Sequence, residues 1–226
     1  MNQLIAAIAF VGTHFLLSHP LRAPLVARIG ERGFLLLYSL VAFATIGWLV
    51  VAFRAAPMEA LWWPVGDGIW AVATAVMLVA SILLMGSLLG NPALPTGGAA
   101  AAVPDAARGV FAVTRHPMMW SFALWSAAHL MVMPYAANAV LVAAIALLAL
   151  VGAAMQDRKK ERLQPDSWRA WEARTSYWPF AAIAQGRAAF GGFRPHDLAG
   201  GALIWLAATW AHLPIAGWPA GVWRWL

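Results

Sequence analysis

The stretch 136–155, AANAVLVAAIALLALVGAAM, decides the fold, together with the Gln156-Asp157-Arg158-Lys159-Lys160-Glu161-Arg162 that follows it at once. Twenty residues pass without a formal charge, and six of the next seven are charged. A helix rises 1.5 Å per residue, so about 20 apolar residues cross the roughly 30 Å hydrocarbon core of a bilayer. The sudden charge marks the exit into water. Working outward, five more apolar runs appear at 3–18, 34–53, 69–89, 118–133 and 198–218. The runs at 3–18 and 118–133 are short and imply tilt or local bilayer thinning. Pro214 should end or kink the last run near its far end. The expected fold is therefore all-α, a single integral membrane bundle of about six transmembrane helices.

Composition supports the same class. Of 226 residues, 62% are apolar and only 11% are charged, whereas a soluble domain is about a quarter charged because its surface faces water. The 14 tryptophans suit the membrane–water boundary and core packing. Cysteine is absent, which removes disulfides and thiolate metal ligands. The net charge of +6 does not point to nucleic acid. The charges flank the apolar runs, where a membrane protein meets anionic lipid, so the expected partner is the bilayer.

Lysine and arginine set the expected orientation. With six spans, the loops after the first, third and fifth lie on one side. They carry Arg22, Arg28, Arg32, Arg108, Arg115, Arg158, Lys159, Lys160, Arg162, Arg169, Arg174, Arg187 and Arg194, against only Arg54 and Arg224 on the other side. Such a bias marks the cytoplasmic face. It places both termini on the non-cytoplasmic side of a bacterial-type inner membrane. No basic residue precedes the first apolar run, so that run reads as a retained helix rather than a signal peptide. Residues 91–109, rich in Pro, Gly and Ala, read as a loop. In the polar stretch 156–197, residues 167–174 place Trp168 and Trp171 among charges and suit an interfacial amphipathic helix.

Polar groups in apolar helices are costly and mark functional candidates. His14 lies near the basic end of the first helix, His116 opens the fourth within Thr114-Arg115-His116-Pro117, and His129 and His212 lie deep in the fourth and sixth. His129 is roughly 18 Å past the basic-side entry of its helix and His212 roughly 20 Å past its own, so these two share a layer. His14 and His116 share one nearer the basic side. Imidazoles without cysteines and with few intramembrane carboxylates suit haem iron better than a bare ion. The competing reading for a membrane histidine is a hydrogen-bonded bridge between helices. His116 could instead cap its helix or meet a lipid headgroup. His19 and His196 read as solvated loop residues.

The fourth-helix pattern Thr114-Arg115-His116-Pro117, then Leu124-Trp125-Ser126-Ala127-Ala128-His129, closely resembles the NnrU family, which includes the plant 15-cis-zeta-carotene isomerase. Val11-Gly12-Thr13-His14, Ile29-Gly30-Glu31-Arg32, Asp157-Arg158-Lys159, Arg174-Thr175-Ser176, Pro179-Phe180-Ala181-Ala182-Ile183, Gly186-Arg187 and Ala211-His212-Leu213-Pro214 extend the resemblance over most of the chain. It implies haem b held in the membrane, with His14 and His129 at the positions of the iron ligands and His116, His212 and Arg115 in support. His14 and His129 differ by roughly 10 Å in depth; tilt or a macrocycle lying across the bilayer would absorb this, and otherwise His129 with His212 is the better pair. Two departures bear on activity. The isomerase has a cysteine where this chain has Ser126, and paired histidines where it has Leu148 and Ala149.

Both departures fit the bacterial NnrU branch, which is associated with denitrification, so the resemblance implies a haem b protein serving nitric oxide or nitrite metabolism as a sensor, redox partner or accessory factor, with nitric oxide as the ligand. A haem-dependent cis–trans isomerase acting on a polyene is the alternative. A third reading, from a resemblance to isoprenylcysteine-type membrane methyltransferases, would make Arg115, His116 and 157–178 a site for S-adenosylmethionine. A fourth is a non-catalytic membrane subunit with structural histidines.

Overall fold

The computed structural model describes residues 2–94 and 103–226. All regular structure among them is helical: α1 (Asn2–Ser18), α2 (Arg22–Arg54), α3 (Asp67–Gly86), α4 (Val110–Val113), α5 (Pro117–Val132), α6 (Ala136–Leu163), α7 (Pro165–Ala173), α8 (Ala181–Ala184) and α9 (Pro195–Ala216). A 3₁₀ turn, Gly221–Arg224, follows. Four helices, α2, α3, α6 and α9, are long and apolar enough to cross a membrane. The remaining two expected spans form as α1, of 17 residues, and α5, of 16. All six apolar runs are thus helical, and four qualify as candidate spans by length and hydropathy.

Several boundaries differ from those expected, each for a local reason. The approach to the second run is itself helical from Arg22, and the break falls at Gly30, whose φ of 72° and ψ of 169° only glycine adopts readily. Pro214 does not stop the last helix. α9 continues to Ala216 and ends where Gly217 takes the left-handed conformation at φ 77°, the usual glycine terminator. Proline so near the end sacrifices only one internal hydrogen bond. The loop expected at 91–109 is non-helical at 91–94 and 103–109; its part at 95–102 lies outside the described residues.

The helices pack in the order α9, α3, α5, α6, α1, α2, with α2 also touching α6. Where α9 crosses α3 the backbones nearly meet: a Cβ on Gly201 would stand 2.6 Å from the Ile82 Cα. Small residues at such crossings let helices gain van der Waals contact that lipid cannot replace. One apolar cluster, containing Ala6, Ala7, Phe10, Leu49, Ala52, Leu141 and Ala144, joins α1, α2 and α6. A second joins α3 and α4 to α7 through Ile82, Leu83, Val110, Phe111, Trp168 and Trp171. Large apolar side chains such as Phe43, 76% exposed, and Leu203 point outward, as lipid-facing positions should.

The second cluster corrects one expectation. Residues 165–173 do form an amphipathic helix, but Trp168 and Trp171 are fully buried. The apolar face of α7 is spent on Phe111, with ring centroids 5.9 Å apart, and not on lipid.

The loops sort to two ends. The segments 91–94, 108–116 and 156–197 meet through Lys160 Nζ to the Pro92 carbonyl (2.8 Å), Gln156 Nε2 to the Ala93 carbonyl (2.7 Å) and the Arg115 amide to the Ser176 carbonyl (2.8 Å). At the opposite end, the Trp62 amide donates to the Pro134 carbonyl (2.8 Å) and Arg224 pairs with Asp67 (3.1 Å). Ten basic residues in 108–116 and 156–197 therefore gather where the positive-side loops were expected, and Arg54 and Arg224 do not.

Candidate functional site

The histidines fall into three separate places. The first is a cavity of about 980 Å³ between α1, α2, α5, α6 and the 93–94 loop. Phe10, His14 and Phe15 line it from α1, Phe34 and Tyr38 from α2, Met119, Phe122 and Trp125 from α5, and Leu148, Ala149 and Gly152 from α6. His14 Nδ1 lies 2.6 Å from the Phe10 carbonyl. A carbonyl only accepts, so Nδ1 carries the proton and Nε2 is left with its lone pair, the state of a metal-ligating imidazole. The ring is held edge-on between Phe10 and Tyr38, at centroid distances of 4.6 and 5.5 Å.

His129 and His212 form the second place. Their ring centroids are 6.2 Å apart, in agreement with the shared layer that helix rise assigns them. Each repeats the His14 pattern, with His129 Nδ1 bonded to the Trp125 carbonyl (2.8 Å) and His212 Nδ1 to the Ala208 carbonyl (2.7 Å). Trp125 stacks on His129 with centroids 3.9 Å apart and also lines the cavity. One tryptophan thus touches both places, but His129 itself is not part of the cavity wall. His14 and His129 are not brought into contact.

The third place is an ion-pair knot at the basic end. His116, 2% exposed, stands at the N-cap position of α5, where its carbonyl accepts from the Trp120 amide (3.0 Å), but its ring makes no capping bond. Its Nε2 meets Asp157 Oδ1 at 2.7 Å, while Arg115 bonds Asp157 Oδ2 through Nη2 (2.6 Å) and Nε (2.8 Å). Arg115 Nη2 also reaches Glu172 at 3.2 Å. The Tyr177 and Trp168 rings close the His116 face at 5.9 and 6.5 Å, and Tyr177 donates its hydroxyl proton to the Leu150 carbonyl (2.7 Å). Residues 114–116 are thereby tied to α6, α7 and the 175–178 turn. Neither Arg115 nor His116 lines the cavity. His196 is exposed, as expected, but it lies in the first turn of α9 and its Nε2 is 3.0 Å from the fully buried Asp197. His19 lines the cavity mouth.

Glu172 is the unusual acid of the knot. Burial pushes its pKa up to about 7; Arg115 pulls it down, and the Asp157 and Glu161 carboxylates push it up again. The unfolded chain ionises this group near 4.5, so the folded state binds the extra proton between those values. Stability linked to Glu172 is therefore lost as pH rises from about 4.5 to about 7. Thermal unfolding of detergent-solubilised protein across that window should show this slope, and Glu172→Gln should flatten it. An identical slope in the variant would remove Glu172 as its source.

Among the described residues no three His, Cys, Asp or Glu side chains converge as a metal cage. One imidazole, His14, set deep in a mostly apolar cavity whose mouth is basic suits a macrocycle that brings its own nitrogen ligands. The model for NnrU protein matches residues 3–220 of the chain. The chain belongs to the NnrU family. Comparison with curated proteins and with solved structures yields no match. Within this NnrU protein, the motif residues His14 and Glu31 line the cavity, Trp125, His129 and His212 form the layer, and Arg115, His116 and Asp157 form the knot. Asp157, noted in the sequence only as part of a motif, proves to be the carboxylate that joins Arg115 to His116. Lys159, counted in the sequence as a topology charge, lies at the cavity mouth. A signal for both was the 157–160 charge run directly after an apolar span, but its partners are remote in sequence.

Proposed function

We propose that this NnrU protein binds haem b in the membrane and serves nitric oxide or nitrite metabolism as a sensor, redox partner or accessory factor. The observation that carries the reading is His14, with Nδ1 tied to a carbonyl and Nε2 left as a donor, in the wall of a large apolar cavity. In this reading α1, α2, α3, α5, α6 and α9 all cross the bilayer. Their arginine- and lysine-rich end faces the cytoplasm, as the positive-inside rule requires.

His14 would hold the haem iron. Phe10 and Tyr38 fix its ring, and Phe34, Phe122 and Ile46 exclude water from the pocket. Haem bound here would supply an iron site for nitric oxide, and the polarity of the α5 side of the cavity would set which ligand enters. That wall is Met119, Phe122 and Trp125. His129, the second position implied by family resemblance, becomes available only if Trp125 leaves its stack, so we assign His129 and His212 to holding Trp125. Leu148 and Ala149, where the carotene isomerase has histidines, both line the cavity. Their apolar character favours the nitrogen-oxide reading over the isomerase. The methyltransferase reading loses support because Arg115 and His116 are consumed by Asp157 and covered by Trp168 and Tyr177.

Absorption spectra of the purified protein, oxidised, reduced and exposed to nitric oxide, test this function. A Soret band that shifts on reduction and again with nitric oxide is expected. Protein supplied with haem during expression that stays colourless would overturn it.

A further inference from the structure

The mouth of the His14 cavity is charged, and the charge does not balance. Arg22, Lys159 and Lys160 face it with a single carboxylate, Glu31. Glu31 is already bonded to Arg22 at 2.6 Å. Lys160 is occupied too: its Nζ donates to the Pro92 carbonyl at 2.8 Å and sits 5.8 Å from the Trp168 ring centroid. Lys159 is different. It is partly buried, and among the described residues it has no hydrogen-bond or ion-pair partner. His19 and Gln156 share the rim with it, Gln156 being held by the Ala93 carbonyl at 2.7 Å.

A part-buried ammonium with no bonded partner, and with its one nearby carboxylate, Glu31, already bonded to Arg22, is costly, and proteins rarely keep one unless something completes it. Below the rim the walls are mostly apolar, interrupted by Ser18, His14 and Tyr38, down to Phe10, Ile46 and Trp125. Cationic rim over apolar shaft describes the shape of the occupant. We infer that the cavity takes a carboxylate-bearing apolar molecule, body inward, whose carboxylate is held at the rim by Lys159 with Arg22 beside it. A porphyrin with its propionates and a long-chain fatty acid share this chemistry. The inference rests on the cavity itself; only its porphyrin form rests on the function proposed above.

The test compares acids with esters. Hemin and its dimethyl ester, and palmitate and methyl palmitate, are titrated into detergent-purified protein of wild type, Lys159→Met and Lys159→Arg. A charge-assisted hydrogen bond contributes enough for about a ten- to hundredfold difference in affinity. Wild type should therefore prefer at least one acid over its ester by about that factor. Lys159→Met should lose the preference, and Lys159→Arg should keep most of it. Circular dichroism and gel filtration monitor the fold; if Lys159→Met fails to fold, Arg22→Gln takes its place with the same expectation. Discrimination with palmitate but no hemin binding supports the anchor while removing the haem function. Hemin bound as tightly as its ester by every variant, with no preference for palmitate over methyl palmitate, overturns the anchor while leaving haem in place. Failure of both acids to bind overturns the inference outright.

Discussion

His14→Ala is expected to leave the purified protein without haem while α1 and its neighbours stay folded. The alanine removes the one cavity-lining imidazole deep among the apolar walls, where the nearest side chains, Phe10, Tyr38 and Phe122, offer iron no nitrogen donor. Partners that merely orient a metal-bound ligand cost 10–100-fold in affinity when lost, so removal of the ligand itself should lower haem occupancy by about tenfold or more. The measurement is haem per protein by pyridine haemochromogen, with circular dichroism as the control. His129→Ala and His212→Ala are the informative companions. Both should retain haem, because neither lines the cavity, although His129→Ala frees Trp125 from its 3.9 Å stack. Loss of haem in His129→Ala with normal haem in His14→Ala would reverse the assignment and make the His129–His212 pair the iron site.

The second large effect concerns the knot. Asp157→Ala should destabilise the protein by about 3–5 kcal/mol, the usual cost of stranding a buried charge. Among the described residues Asp157 is the only carboxylate that binds both Arg115 and His116, and its side chain is 10% exposed. Without it Arg115 keeps only the longer contact to Glu172, while His116 loses its partner. Asp157→Asn retains hydrogen-bonding capacity and should cost less. The comparison is made by unfolding in mixed micelles of mild detergent and SDS. A loss below about 1 kcal/mol, typical of an exposed pair, would show that the knot is dispensable. Haem affinity of any Asp157→Ala protein that remains folded should be near normal, since the knot does not line the cavity; this separates a structural from a ligand-binding role.

The sequence by itself determined the class of fold and the sorting of charge. Those properties are local. A helix that must satisfy its own backbone in lipid is written in one uninterrupted apolar run, and positive charge is written beside it. All six runs are helical for that reason, and the two basic exceptions, Arg54 and Arg224, lie away from the basic end. Even the pairing of His129 with His212 was legible, because depth follows from helix rise alone. What only the tertiary structure decided is which sides of the helices face one another. Depth leaves rotation about each axis free, so His14 and His116 appeared to share a layer yet occupy separate sites. Asp157 read as one charge in a run of six until packing carried it to Arg115 and His116, more than forty residues away. Trp168 and Trp171 read as interfacial until α4 arrived to cover them. The cavity belongs to no segment of the chain; it exists because α1 and α2 stand off from α5 and α6 at the basic end, and that separation is a property of the assembled bundle.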